Sequence, residues 1–154
     1  MRQWHKLTLA VMALAAFALA QVANAEDLIM ARSQQPFPEA MLALQDAITH
    51  HGYVLSRVQR VDVGLTRSGF KTDKYRVVFF GKPAQIRELA HDHPELIPYL
   101  PLKIAIFAEG NQTVLVAANP RDYDQFFPHD HLRALFAGWA RDLQSIMDEV
   151  RKGN

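Results

Sequence analysis

The chain of 154 residues has no cysteine. That absence excludes disulfides, thiol redox chemistry, c-type haem attachment and a lipid anchor carried on a cysteine. Glycine is scarce, at seven residues, and forms neither a P-loop nor a dinucleotide-binding fingerprint. No nucleophile-elbow serine or metalloprotease helix occurs, and beyond residue 25 only Ser33, Ser56, Ser68 and Ser145 are serines. Neither charge sign dominates, with 17 Lys plus Arg against 16 Asp plus Glu. The charge balance therefore gives no field to draw nucleic acid or an anionic membrane surface.

What is present begins at the N-terminus. Arg2 and Lys6 precede an uncharged run rich in Leu and Ala from Leu7 to Ala20, followed by Ala23-Asn24-Ala25. This is the pattern of a signal peptide over residues 1–25, cut after Ala25 to leave Glu26 first. The run is shorter than the ~20 residues that cross a bilayer, and no later run is longer, so no membrane attachment is expected after cleavage. An uncleaved N-terminal anchor is the alternative. The expected product is an exported, periplasmic domain. Residues 26–154 hold 58 apolar residues of 129 and 15 Lys plus Arg against 16 Asp plus Glu. A chain of that length buries roughly two thirds of its unfolded surface, enough for one core.

Periodicity orders the elements. Asp27 to Arg32 reads as a first strand. Pro36 and Pro38 open a helix in which Phe37, Met41, Leu44 and Ile48 recur at three- and four-residue spacing, and Gly52 closes it. Tyr53 to Leu65 reads as a long strand, with Val61, Val63 and Leu65 alternating with polar residues or glycine, and Thr66 to Asp73 as a polar turn. Tyr75 to Phe80 is the next strand, and Gly81-Lys82-Pro83 starts a short helix through His91. Three prolines make His91 to Pro101 irregular. Leu102 to Phe107 and Thr113 to Ala117 form a hairpin around Glu109-Gly110-Asn111-Gln112. From about Pro128 to Val150, Leu132, Leu135, Phe136, Trp139, Leu143, Ile146, Met147 and Val150 make one continuous helical stripe. The sum is a single α+β domain. Its strands VVFF, IAIF and VLVAA are apolar on both parities, where a half-exposed sheet should alternate. The second face should therefore be covered, by a second copy in a homodimer, by an apolar ligand, or by loops of the chain itself.

The succession Gly52-Tyr53-Val54, Val61-Asp62-Val63, Tyr75-Arg76-Val77-Val78 leading to Gly81-Lys82-Pro83, His93-Pro94, Leu100-Pro101-Leu102-Lys103-Ile104 and Asn119-Pro120 resembles the family called domain of unknown function 302, over roughly residues 33–150. The resemblance implies a fold of the TATA-binding-protein-like type: a strand, a helix, four antiparallel strands and a long final helix. The short helix at Pro83 is then an extra element between strands. The resemblance implies no catalytic residues. Where members often carry asparagine before the first of these prolines and a small residue or cysteine after the later one, this chain has Lys82 and Leu102.

Six histidines beyond residue 25 come in pairs: His50-His51, His91-x-His93 and His129-x-His131, the last two each within the tripeptide HDH. Neutral imidazole binds copper and zinc, and His91, His93, His129 and His131 are the candidate metal ligands, with Asp92 and Asp130 as further ligands or orienting partners. Neither HDH pair has the i, i+4 spacing of a helical metal site, so the two segments must converge in space. His50 and His51 read as surface or helix-capping residues, where the helix dipole favours a cation. Arg57, Arg60, Arg67, Lys71, Lys74 and Arg76 suit an anionic ligand or acidic partner, or equally a solvated strand edge that resists edge pairing. Phe126-Phe127-Pro128 reads as core before the last helix, the alternative being an exposed apolar contact. The expected function is a non-enzymatic ligand-binding or protein-interaction module. A histidine-based copper or zinc protein is second. A small hydrolase or isomerase whose carboxylate and histidine meet only in the fold is third; Glu88, Asp92 and Glu95 lie near one another in sequence, a common arrangement that by itself defines no pairing across a cleft.

Overall fold

A computed structural model describes residues 28–153. The expected signal segment, residues 1–25, lies outside the described residues. The elements are β1 (Leu28–Ser33), α1 (Phe37–His50), β2 (Val54–Arg60), α2 (Val61–Arg67), β3 (Tyr75–Gly81), α3 (Pro83–Asp92), β4 (Leu102–Glu109), β5 (Gln112–Ala118) and α4 (Asp130–Lys152). Short 3₁₀ segments occupy Pro94–Tyr99 and Pro120–Gln125. The strands form one antiparallel sheet in the order β1-β5-β4-β3-β2. One strand, one helix, four further strands and a long last helix is the expected α+β order, with α2 and α3 as additions.

The helix ends follow from local chemistry. Pro36 precedes α1 with an extended backbone, Glu39 places a carboxylate in its first turn, and Gly52 takes a positive φ of 73° just past its end. Helix α4 carries Asp130 in its first turn and Arg151 and Lys152 in its last, each sign matched to the helix dipole. Gly110 supplies the positive φ, 59°, between β4 and β5.

The strand expected over Tyr53 to Leu65 is corrected: it stops at Arg60, and Val61–Arg67 is helix. The partner strand sets the limit. Arg60 faces Arg76, and β3 begins one residue before that, so backbone groups beyond Arg60 have no ladder and close on themselves. The alternating Val61, Val63 and Leu65 misled because a helix also brings i and i+4, here Val61 and Leu65, to one face. Asp62 fastens the turn, accepting from the Val63 N–H and from the Arg76 guanidinium.

Both long helices lie on one face of the sheet. Ile29, Ala31, Val78, Phe80, Leu102, Ile104, Ile106, Leu115 and Ala117 are buried there against Leu44 and Ile48 of α1 and the α4 stripe from Leu132 to Val150. The pleat sends the intervening residues the other way. Met30, Val116, Ala105 and Val77 stand side by side across four strands. Val114, Phe107 and Tyr75 form a parallel row, and Phe79 lies beside Lys103 and Arg57. Val77, Phe79, Ala105, Phe107 and Val116 are only half-buried, and Leu28 and Met30 on the edge strand are 52% and 58% exposed.

The Arg76 bond, more than any other influence, holds the Asp62 carboxyl below its ordinary range. A depressed carboxylate contributes stability above its unfolded pKa, near 4, and loses it as pH falls through the folded value. Asp62→Asn should therefore cost about 1–2 kcal/mol in urea unfolding at pH 7. The gap to the parent should narrow toward pH 3, and equal gaps at both pH values would remove the charge from this account.

Candidate functional site

The two HDH segments meet. His93 ends α3 and His131 lies in the first turn of α4, and their Nε2 atoms are 2.9 Å apart. The His93 and His131 ring centroids are 5.0 Å apart, and His129 joins them at 6.0 Å from His93 and 5.8 Å from His131. Glu95 Oε1 lies 3.1 Å from His93 Nδ1, so a proton on Nδ1 leaves the Nε2 lone pair of His93 facing His131. The Glu95 carboxyl is held below its usual range by its own backbone N–H first and by His93 next. Histidine 91 stands apart from these ring contacts and meets its neighbour Asp92 at 2.7 Å in solvent. Asp130 is paired with Arg133. Of the four expected ligands the structure thus gathers three, His93, His129 and His131, with Glu95 orienting one of them.

Packing explains the convergence. Phe127 is buried, in ring contact with Tyr99 of the 3₁₀ segment and with Phe136 of α4, and Tyr123 touches both Tyr99 and Phe136. This aromatic cluster pins the start of α4 to the segment that follows His93. Trp139 Nε1 donates to Gln85 of α3 at 3.2 Å and fixes the helix bearing His91 against α4. Phe127 is core as expected, whereas Phe126 is 65% exposed.

A second cluster escaped sequence reasoning. His51 Nε2 lies 2.7 Å from Glu149 Oε1, and His50 Nδ1 lies 3.3 Å from Glu149 Oε2. The hydrogen bonds from His51, then from His50, hold the Glu149 carboxyl below its ordinary range. Two turns earlier on α4, Asp142 accepts a 2.6 Å hydrogen bond from the Tyr53 hydroxyl, whose pKa is pushed up first by burial. His51 and Tyr53 therefore tie the α1–β2 corner to one face of α4 at two successive places. The only local signal was a histidine pair at a helix end, and Glu149 is 98 residues from His51.

The basic run is partly spent on structure. Arg76 bonds Asp62, Lys74 and Arg76 both lie over the Phe37 ring, and Arg57 bonds Gln59 on the outward sheet face. Glu109 pairs with Arg32 across the β4–β5 hairpin end.

The architecture is an α+β domain with helices on one side of an antiparallel sheet and two histidine clusters flanking the last helix. Residues 29–150 match the family described as domain of unknown function DUF302, and the chain belongs to that family. Among solved structures it is similar to one described as the crystal structure of an uncharacterized conserved protein DUF302 from Bacillus stearothermophilus. The TM-score is 0.75 at 15% identity, over 82% of this chain and all of that one, a likeness of fold. Among curated proteins none matches the sequence.

Proposed function

We propose that the protein is an exported, non-enzymatic interaction module whose outward sheet face holds a second copy of the chain. The apolar rows on that face carry the proposal. Met30, Val116, Ala105, Val77, Phe107 and Phe79 point away from both long helices, where a solvated sheet would place polar residues. Four strands about 4.8 Å apart, β1, β5, β4 and β3, and three rows of side chains broken by Lys103 give a patch of roughly 20 by 20 Å. That is about 400 Å² a side, within the range of the largest apolar patch on a single chain, a patch that is often functional. It is also half the usual contribution to a stable interface, which fits a dimer of modest affinity. A flat face suits a second flat face better than a small apolar ligand, which needs a concave site. Arg57, Gln59 and Lys103 supply a polar rim.

A second reading has its own observation. The 2.9 Å approach of His93 Nε2 to His131 Nε2, with His129 beside them and Glu95 behind His93, supports binding of Cu²⁺ or Zn²⁺. Nitrogens that share a tetrahedral ion at about 2.1 Å sit roughly 3.4 Å apart, so the rings need to part by only about half an ångström. The carboxylate on Nδ1 is the usual outer partner that orients a ligating imidazole.

Three measurements test these readings. Sedimentation equilibrium should show a concentration-dependent dimer, weakened at least tenfold by Val77→Glu or Val116→Lys. A parent that stays monomeric to millimolar concentration ends the self-association reading. Mass spectrometry of the chain recovered from an exporting bacterial host should give a protein beginning at Glu26, and a mass retaining residues 1–25 contradicts export by cleavage. Calorimetric titration with Cu²⁺ or Zn²⁺ should lose one binding event when His91, His93, His129 and His131 are all replaced by alanine. Traces that superimpose exclude the HDH site.

A further inference from the structure

The geometry points to a separate divalent-metal site made by His50, His51 and Glu149, at the seam between the end of α1 and the last turns of α4. We assign it to a borderline transition-metal ion of the Zn²⁺ class. Two imidazoles and one carboxylate are a donor set that holds zinc with one position left open. The three ligand atoms lie within 4.8 Å of one another. Donors sharing a tetrahedral ion at about 2.1 Å are roughly 3.4 Å apart. His50 Nδ1 and Glu149 Oε2, at 3.3 Å, already have that spacing. His51 Nε2 lies 2.7 Å from the other oxygen, Glu149 Oε1, so a single ligating oxygen keeps only one of these contacts, and with one atom from each residue no pair is wider than 4.8 Å, at most about 1.4 Å beyond that spacing. The His50 side chain, 77% exposed, has the freedom to make that adjustment, while His51 and Glu149, at 22% and 28%, are held more firmly. The site is thus two fixed donors and one that swings in.

The surroundings favour a cation independently of the donors. His50 is the last residue of α1 and His51 its C-terminal cap, so the negative end of the helix dipole lies at the site. A groove of about 480 Å³ opens beside it, bordered by Glu39, Asp46, His50 and Glu149, with Leu42 and Ala43 on its apolar side. Asp46 is one turn before His50 on α1, so its carboxylate borders the same helical face. Three carboxylates around a single groove raise the local concentration of divalent ions. His50 and Glu149 both border that groove, so water from it can complete the shell of a bound ion. The alternative use of the same atoms is a pair of His–Glu contacts, one exposed and one part-buried, each contributing about 1 kcal/mol.

The test separates this site from the HDH cluster. Full-length protein without a histidine tag, carrying alanine at His91, His93, His129 and His131, is titrated with ZnCl₂ by calorimetry, and with Co²⁺ as a spectroscopic substitute. One Zn²⁺ per chain should still bind, with a dissociation constant in the micromolar range or below, and Co²⁺ should give visible tetrahedral d–d absorption. Adding His50→Ala, His51→Ala or Glu149→Gln should each weaken Zn²⁺ at least tenfold. His50 is exposed, so its removal leaves the fold intact, as circular dichroism should show. In the otherwise unaltered protein, His50→Ala should lower the Zn²⁺ stoichiometry by one. No Zn²⁺ binding in the four-alanine background, or an affinity left unchanged from that background by His50→Ala and by Glu149→Gln, overturns the assignment whatever the fate of the HDH site.

Discussion

The burial of the α4 stripe against the sheet and α1 is the interaction on which the remaining features depend. Leu132, Phe136, Trp139, Leu143, Ile146, Met147 and Val150 occupy one side of the helix and are all buried. At about 1.5–3 kcal/mol for each large apolar side chain, that stripe contributes on the order of 10–20 kcal/mol before the entropy of ordering the helix is set against it. The polar contacts at its two ends are smaller by an order of magnitude. The apolar stripe therefore positions the histidines and Glu149, and they do not position the helix. Ser33 shows the same hierarchy in miniature: its buried hydroxyl donates to the Val150 carbonyl at 3.0 Å, a bond available only because Val150 is already docked.

Placing α1 and α4 together on one face leaves the other face of the sheet to its own sequence. A solvated face would alternate, and here Phe79, Ala105, Phe107 and Val116 break the alternation. The edges are treated differently from the middle. Arg32 of β1 reaches Glu109 and Gln112 across the hairpin end, and Arg57 of β2 sits opposite Phe79 beside a bulge between Leu55 and Arg57. Charged side chains and a bulge oppose strand addition at an edge. The apolar centre thus favours contact face to face over contact edge to edge.

How much of this could be read along the chain follows from the range of each interaction. Helices α1 and α4 and strands β3, β4 and β5 were legible because amphipathic periodicity is a local consequence of facing a core. The α+β order followed from their succession, and the family resemblance agreed with it. Val61 to Leu65 was misread because its alternation is compatible with two local structures, and the choice was made by where β3 begins, fourteen residues later. The histidine pairs were visible as pairs, yet which members meet was not. His91 and His93 differ by two positions at the end of one helix, and only His93 faces α4. Glu149 carried no mark at all, since a glutamate on the solvent side of a long helix is ordinary until the fold brings a histidine pair to it.

The length of α4 separates the two clusters. From Asp130 to Glu149 is nineteen residues, about 28 Å along the axis at 1.5 Å per residue. Donors at opposite ends of that span cannot share an ion, and at physiological ionic strength charges so far apart in solvent are largely screened from one another. A cation held at one cluster would therefore not be felt at the other. Both belong to the helix side of the sheet, so contact through the outward face leaves them open to solvent. A dimer formed through the sheet would then carry its histidine clusters on its two outer layers, with each groove beside Glu149 accessible from outside.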